Sequence, residues 1–103
     1  MTVVSPAPRL VRIDGREIPL EKDLIIGRSE ECNIQIQDAL ISRQHARLQL
    51  SGTQVILTDL GSHNGTYLND QRMPKNTDRE ISFGDVVRIG ETELALREEA
   101  PDD

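Results

Sequence analysis

Short runs in which apolar and polar residues alternate are the feature that most constrains the fold of this 103-residue chain. Ala46, Leu48 and Leu50 alternate with polar residues, and Leu94 and Leu96 repeat the pattern near the C-terminus. A two-residue period buries one face of a β-strand and leaves the other in water. No segment sustains the three-to-four-residue apolar spacing of an amphipathic helix. The pattern therefore predicts an all-β chain.

Turn residues separate these runs at intervals of about eight to twelve residues, which is the spacing of a β-sandwich. Asp14-Gly15 lies between two short apolar runs, and this dipeptide is a strong signal for a β-hairpin. Ser51-Gly52 predicts a second turn, and Asn69-Asp70 predicts a further hairpin. The turns therefore favour a sandwich of short strands joined by polar loops.

Length and composition indicate one domain with an aliphatic core. The chain has one Phe, one Tyr and no Trp, so Ile, Leu and Val must fill the interior. We predict a domain at residues 9–97, preceded by a flexible tail at residues 1–8 that contains two prolines. Residues 98–103 predict a flexible acidic tail.

The distribution of charge argues against nucleic acid as a partner. The net charge is -6, and the four acids of the C-terminal tail account for all but two of these charges. The rest of the chain has no dominant basic face of the kind that nucleic-acid-binding domains carry. Cys32 is the only cysteine, which suits a reducing compartment, and no apolar stretch is long enough for a membrane span. We therefore expect a cytoplasmic monomer that contacts neither nucleic acid nor membrane.

Three segments next to predicted strand ends carry the residues suited to binding an anion. They are residues 27–29, 42–46 and 61–66. Arg28 and Arg43 supply forked guanidinium donors, and nearby Ser and Thr hydroxyls donate to the same kind of oxygen. Asn64 offers both a donor and an acceptor for a peptide main chain. This set suits holding an anion and not transforming one.

The order and spacing of these residues resemble the signature of the forkhead-associated (FHA) domain over residues 9–97. The matching pieces are Gly27-Arg28, Ser42-Arg43-x-His45-Ala46, Asn64-Gly65-Thr66 and Gly84-Asp85. The resemblance implies a twisted sandwich of two sheets with about ten to eleven strands and ligand loops at one apex. It also implies a signalling module that binds phosphothreonine and is not an enzyme, with no cofactor and no metal.

The resemblance also implies roles for individual residues. Arg28 and Ser42 would hold the phosphate, and Arg43 would contribute its backbone N–H, its side chain or both. Asn64 would bond to the peptide main chain beside the phosphothreonine. The expected partner is a threonine-phosphorylated protein or peptide, either a kinase or a kinase substrate.

A second set of residues would support these four. Gly27 and His45 are expected to be structural, and Gly65 and Thr66 would shape the turn that presents Asn64. The Gly84-Asp85 turn would lie far from the ligand. Leu40 would favour an apolar residue at the third position after the phosphothreonine.

His63 departs from the family pattern, which often has a hydroxyl residue just before the Asn. Three interpretations remain open from the sequence. The hydroxyl contact to phosphate is missing, or Ser62 supplies it, or a protonated His63 adds positive charge to the site.

Two other functions are possible in principle for these residues. Ser42 with His45 suggests a hydrolase pair, but the chain has no nucleophile elbow and no Asp placed to orient the His. His45, His63 and Cys32 do not have the spacing of zinc ligands. The remaining alternative is an interaction or assembly domain of the same fold that binds without phosphate. The presence of Arg28, Ser42 and Asn64 favours the phosphate-binding function.

Overall fold

Strands make up the regular secondary structure in the computed structural model of the chain, which describes residues 9–13 and 15–98. They are β1 (Arg9–Ile13), β2 (Arg16–Pro19), β3 (Leu24–Gly27), β4 (Ile34–Gln35), β5 (Ala46–Ser51), β6 (Gln54–Asp59), β7 (Thr66–Leu68), β8 (Gln71–Arg72), β9 (Asp78–Ile81), β10 (Val86–Ile89) and β11 (Thr92–Glu98). The all-β prediction is confirmed.

The described strands form two sheets. One has the order β2-β1-β11-β10-β7-β8, and the other has the order β4-β3-β5-β6-β9. Within the described residues, β3 and β4 pair in parallel, and the other paired strands are antiparallel. The eleven strands in two sheets confirm the predicted sandwich.

An aliphatic core fills the space between the sheets. Leu48 and Leu57 of one sheet and Val11 and Ile89 of the other are completely buried. The alternation that the sequence shows in β5 therefore marks which side chains face inward. Burial of each such side chain stabilises the fold by roughly 1.5–3 kcal/mol.

The three predicted turns form at their expected positions, and the turn at Ser51-Gly52 joins β5 to β6, where Ser51 pairs with Gln54. Ile13 pairs with Arg16, so β1 and β2 are joined at residues 14–15, although Asp14 itself lies outside the described residues. Leu68 pairs with Gln71 around Asn69 and Asp70, whose φ angles are 49° and 69°. Two successive positive φ angles define the type I′ turn that suits a two-residue hairpin.

The chain ends are described only in part. Strand β11 reaches Glu98, one residue beyond the predicted end of the domain. The predicted tails otherwise lie outside the described residues, at residues 1–8 and 99–103.

The strand register brings three loops to one end of the sandwich. Ile26 at the end of β3 pairs with Ala46 at the start of β5, and Ala46 pairs with Asp59 at the end of β6. The loops at residues 28–33, 36–45 and 60–65 therefore leave the five-stranded sheet at the same edge, which we call the apex. The predicted Gly84-Asp85 turn follows Ile81, which pairs with Val55 at the far end of β6. That turn is consequently at the opposite end of the domain from the apex.

Candidate anion-binding site

The first two apex loops are joined through their backbones. The N–H of Arg28 donates to the carbonyl of Ser42 at 2.9 Å, and the N–H of Ser29 donates to the carbonyl of Arg43 at 3.1 Å. A side chain at Gly27 would collide with the carbonyl oxygen of Arg43 and would lie 2.9 Å from Sγ of Cys32. Only glycine lets the loops approach this closely.

The Arg28 side chain is exposed and is fixed at one point. Its Nε donates to the carbonyl of Ile41 at 3.1 Å. Its two terminal nitrogens bond to no described residue. The guanidinium therefore presents forked donors to solvent, and this geometry matches the oxygens of a phosphate or carboxylate.

Ser42 and Arg43 add further donors beside Arg28. The Oγ of Ser42 accepts the backbone N–H of His63 at 3.0 Å, so its own hydrogen is free for another acceptor. Neither the backbone N–H nor the exposed side chain of Arg43 donates to any residue in the described ranges. The two adjacent loops therefore carry a hydroxyl, a main-chain N–H and two exposed arginine side chains whose donors are not used by the described residues.

Asn64 completes a set of contacts to the segment at residues 40–42. Its Nδ2 donates to the carbonyl of Leu40 at 2.8 Å. No residue in the described part of the chain donates to its Oδ1, which is available to accept a peptide N–H. Three successive residues of the second loop are thus held by Arg28, His63 and Asn64 from the two neighbouring loops.

His45 supports the apex from inside and is completely buried. Its Nδ1 accepts the N–H of Ser42 at 3.1 Å, so Nε2 carries the proton and donates to the carbonyl of Gly65 at 2.8 Å. Burial lowers the pKa of His45, against the opposing effects of the Gly65 carbonyl and nearby carboxylates. Both ring nitrogens are engaged with backbone, so the ring cannot act as a base toward the Ser42 hydroxyl. This arrangement removes the hydrolase interpretation of the Ser42–His45 pair.

Asp59 organises the third loop, and the sequence reasoning did not identify it. Its carboxylate is completely buried and accepts two hydroxyls, from Ser62 at 2.5 Å and Thr66 at 2.7 Å. It also accepts the N–H groups of Gly61 at 3.0 Å and Ser62 at 3.1 Å. Burial alone raises the pKa of Asp59, but these four hydrogen bonds outweigh it and hold the pKa below its ordinary value. Asp59 is therefore a charged anchor beneath residues 61–66.

Ser62 faces this anchor and not the solvent. It is completely buried, donates to Asp59 and accepts the N–H of Gly65 at 3.1 Å. The interpretation that Ser62 supplies a hydroxyl to the anion is therefore not supported. Thr66 is also buried on Asp59, whereas the His63 side chain is exposed at the apex.

Asp38 fixes the second loop to the opposite sheet and was likewise missed from the sequence. Its carboxylate accepts the N–H of Leu40 at 2.9 Å and the N–H of Glu91 at 3.1 Å. The hydrogen bond from Leu40, followed by that from Glu91, lowers the pKa of Asp38. Leu40 itself is 45% exposed next to this anchor. The loop that carries Ser42 is thus held from both sheets.

Cys32 is a further support for the apex loops. Its thiol donates to the carbonyl of Arg43 at 2.9 Å, and burial raises its pKa. Across residues 9–13 and 15–98 we find no cluster of three His, Cys, Asp or Glu side chains that would hold a metal ion. The same part of the chain contains no helix long and apolar enough to cross a membrane.

The apex is a surface of loops and not a deep cavity. A groove with a volume of about 840 Å³ lies along the sandwich between β2 and β4, next to Asp38 and Ala39. The unpaired donors lie at the apex, beside one end of this groove. Fold and site together define a β-sandwich domain whose loops at one end carry hydrogen-bond donors that the described residues do not use.

A comparison with known protein families identifies the family to which this β-sandwich domain belongs. The FHA domain family matches residues 24–90, and the chain belongs to that family. The chain is 38% identical over 86 residues to the FHA domain-containing protein FhaB of Mycobacterium tuberculosis. That match covers 82% of this chain and 54% of FhaB. The chain therefore spans about half the length of this relative.

Solved structures agree with the family assignment. One structure, from a study of phosphothreonine-dependent FHA domain interactions, superposes with a TM-score of 0.81 at 28% identity, covering 91% of this chain and 99% of that one. Mycobacterium tuberculosis EmbR, solved with a low-affinity phosphopeptide, superposes with a TM-score of 0.83 at 28% identity. The superposition covers 94% of this chain and 26% of the EmbR chain.

Proposed function

We propose that this FHA domain binds a phosphothreonine-containing segment of a partner protein at the apex, in a phosphorylation-dependent interaction. One observation carries the proposal. The segment at residues 40–42 is held by contacts from Arg28, His63 and Asn64, and the remaining donors of Arg28, Ser42 and Arg43 are not used by other described residues. The phosphothreonine dependence of the related domain supports the same function.

We assign the phosphate to donors from three residues. These are the terminal nitrogens of Arg28, the hydroxyl of Ser42, and the backbone N–H of Arg43 together with its side chain. A charge-assisted hydrogen bond contributes roughly 1.5–3 kcal/mol. Three such bonds are enough to make binding depend on the phosphate.

Asn64 would hold the main chain of the ligand beside the phosphothreonine. Its free Oδ1 suits a peptide N–H, and its Nδ2 is already directed at the carbonyl of Leu40. A peptide chain held in this way places its next residues near Leu40. Since Leu40 is 45% exposed, we propose that an apolar residue is preferred at the third position after the phosphothreonine.

Phosphothreonine has one methyl group that phosphoserine lacks, so the proposed preference for threonine depends on a pocket that receives this methyl group. A pocket that receives a methyl group contributes roughly 1–3 kcal/mol to discrimination. The proposal therefore includes weaker binding of phosphoserine by about tenfold or more.

The site binds its ligand without reacting with it. His45 is one candidate base near Ser42, and both of its ring nitrogens are bonded to backbone groups. We therefore propose a binding module and not an enzyme. In any longer protein that contains this domain, the partner bound at the apex would determine where that protein acts.

An oriented peptide array tests this function. Three degenerate libraries are probed with the purified domain, with the central residue fixed as phosphothreonine, phosphoserine or unmodified threonine. We expect signal mainly in the phosphothreonine library, with selection for apolar residues three positions after it. Equal signal from all three libraries would instead establish a domain that binds without phosphate.

A further inference from the structure

Arg72 is the last residue of β8, the short strand that follows the Asn69-Asp70 hairpin, and it lies at the end of β8 next to the apex. It belongs to β8 and pairs with Tyr67 of β7, one residue beyond Thr66. A methyl group on Gly65 would lie 2.6 Å from Nε of Arg72, 3.0 Å from Cζ and 3.2 Å from Nη2. The guanidinium therefore occupies the space that a side chain at Gly65 would fill, directly beside Asn64.

The Arg72 guanidinium has no partner within the described ranges. The side chain is exposed and makes no hydrogen bond or ion pair with the described residues. Arg88 on the same sheet shows the contrast, because its guanidinium lies 4.2 Å from the centre of the Tyr67 ring and donates to the carbonyl of Gly90 at 3.4 Å. Arg72 is thus held in position by packing while its charge remains uncompensated.

The position of Arg72 places it within reach of a bound peptide. Gly65 follows Asn64, the residue assigned to the peptide main chain. The carbonyl of Gly65 accepts a hydrogen bond from Nε2 of His45. An extended peptide advances about 3.3 Å per residue. A side chain within about three residues of the phosphothreonine therefore reaches a guanidinium that packs on Gly65.

We infer that Arg72 forms a second anion-binding position at the apex, which selects an acidic side chain flanking the phosphothreonine. This inference rests on the proposed function, since it concerns the residues that surround the phosphothreonine in the same ligand. The chemistry is a carboxylate of Asp or Glu paired with an exposed guanidinium. Such exposed pairs contribute little individually, so we expect about a two- to fivefold preference for Asp over Asn.

A second peptide array tests the inference. The central phosphothreonine is fixed, and each position from four residues before it to four residues after it is fixed in turn as Asp, Asn or Lys. The wild-type domain is expected to prefer Asp over Asn at one or more flanking positions, and the preference should shrink as salt is raised. Arg72→Gln is expected to abolish this preference, and Arg72→Glu to replace it with a preference for Lys.

Controls separate a role in selection from a role in packing. Arg72→Lys keeps the charge and should keep the Asp preference, whereas a packing role would make it resemble Arg72→Gln. Arg12→Gln changes an exposed arginine of β1 on the same sheet and should leave the selection unchanged. Equal thermal unfolding midpoints verify that each variant is folded.

The outcomes are distinguishable. Signal that depends on phosphothreonine but shows no Asp preference, or an Asp preference that survives Arg72→Gln, overturns the inference about Arg72 and leaves the proposed function intact. Equal signal from phosphothreonine and unmodified threonine peptides overturns both.

Discussion

The Arg28 side chain has one observed contact and one proposed contact. Nε donates to the carbonyl of Ile41, and the terminal nitrogens are proposed to bind the phosphate. A lysine has no rigid fork and cannot do both at once. Side chains at the apex therefore differ in whether they would contact the ligand or hold other side chains in place.

Replacing Arg28 with Ala is expected to weaken phosphopeptide binding by at least about tenfold. A charge-assisted hydrogen bond contributes roughly 1.5–3 kcal/mol, and the lower end of that range corresponds to about tenfold in affinity. Calorimetric titration with a phosphothreonine peptide measures the loss. Arg12→Ala, remote from the apex, should bind as the wild type does. Unchanged affinity in Arg28→Ala would show that the role given to Arg28 is wrong.

Asp59 lies behind the site, and its replacement should affect stability first. Asp59→Asn removes the charge and directs an amide at groups that are themselves donors, so we expect a loss of about 2–4 kcal/mol in the free energy of unfolding. Asp78→Asn is the matched control, because Asp78 is exposed and accepts one hydroxyl, from Thr58. That control should lose less than about 1 kcal/mol. Chemical denaturation measures both, and equal losses would refute the anchoring role of Asp59.

At the scale of elements, hairpins were predictable and tertiary anchors were not. The residues of a type I′ turn are adjacent in sequence, so Asn69-Asp70 indicates the β7–β8 hairpin by itself. The groups that Asp38 accepts come from Leu40 and from Glu91, which is far away in the sequence. A carboxylate bonded to distant backbone groups has no local sequence pattern.

The position of Arg28 and Asn64 in loops at one end of the sandwich was easier to predict than the residues that support those loops, for the same physical reason. Arg28 and Asn64 belong to short motifs whose spacing is fixed by the chemistry of the site. Asp59 had a weaker signal, an acidic residue at the end of an apolar strand with hydroxyls three and seven residues later. A buried carboxylate requires donors, so that spacing was the signal by which the anchor could have been found. Ser62 was assigned to the ligand as one option because the sequence does not show which way its hydroxyl faces.

The Asn69 turn stabilises the scaffold and lies at the end of β7 away from the apex. Its Oδ1 accepts the N–H of Val86 at 2.9 Å, and its Nδ2 donates to Asp85 at 3.1 Å. Asn69→Ala loses both bonds and places Ala at a positive φ, so we expect a loss of about 1–2 kcal/mol in stability. Asn69→Gly relieves the backbone cost and should lose less. Phosphopeptide affinity should be unchanged in both, and a large loss of affinity would contradict the separation of scaffold from site.

For the whole molecule, two buried groups determine how stability responds to acid. The pKa of His45 is lowered in the folded state, so the unfolded chain takes up the proton first as the pH falls through its unfolded value of about 6.5. The pKa of Asp59 is also lowered, and its contribution is lost as the pH falls below the unfolded value of about 3.9. Both effects destabilise the fold in the same direction.

The thermal unfolding midpoint is therefore expected to fall between pH 7 and pH 5, and to fall again below about pH 4. His45→Gln, which keeps a side-chain amide donor for Gly65, should show a flatter profile between pH 7 and pH 5 whatever its absolute midpoint. A wild-type midpoint that does not change between pH 7 and pH 5 would show that His45 does not couple folding to protonation.

The central claim is that the apex binds the phosphate group of a phosphothreonine. Calorimetry with one peptide sequence, chosen from the array and made with phosphothreonine, phosphoserine and unmodified threonine, tests it most directly. We predict tight binding of the phosphothreonine peptide, binding weaker by about tenfold or more for phosphoserine, and no measurable binding of the unmodified peptide. Equal affinity for all three peptides would contradict the account.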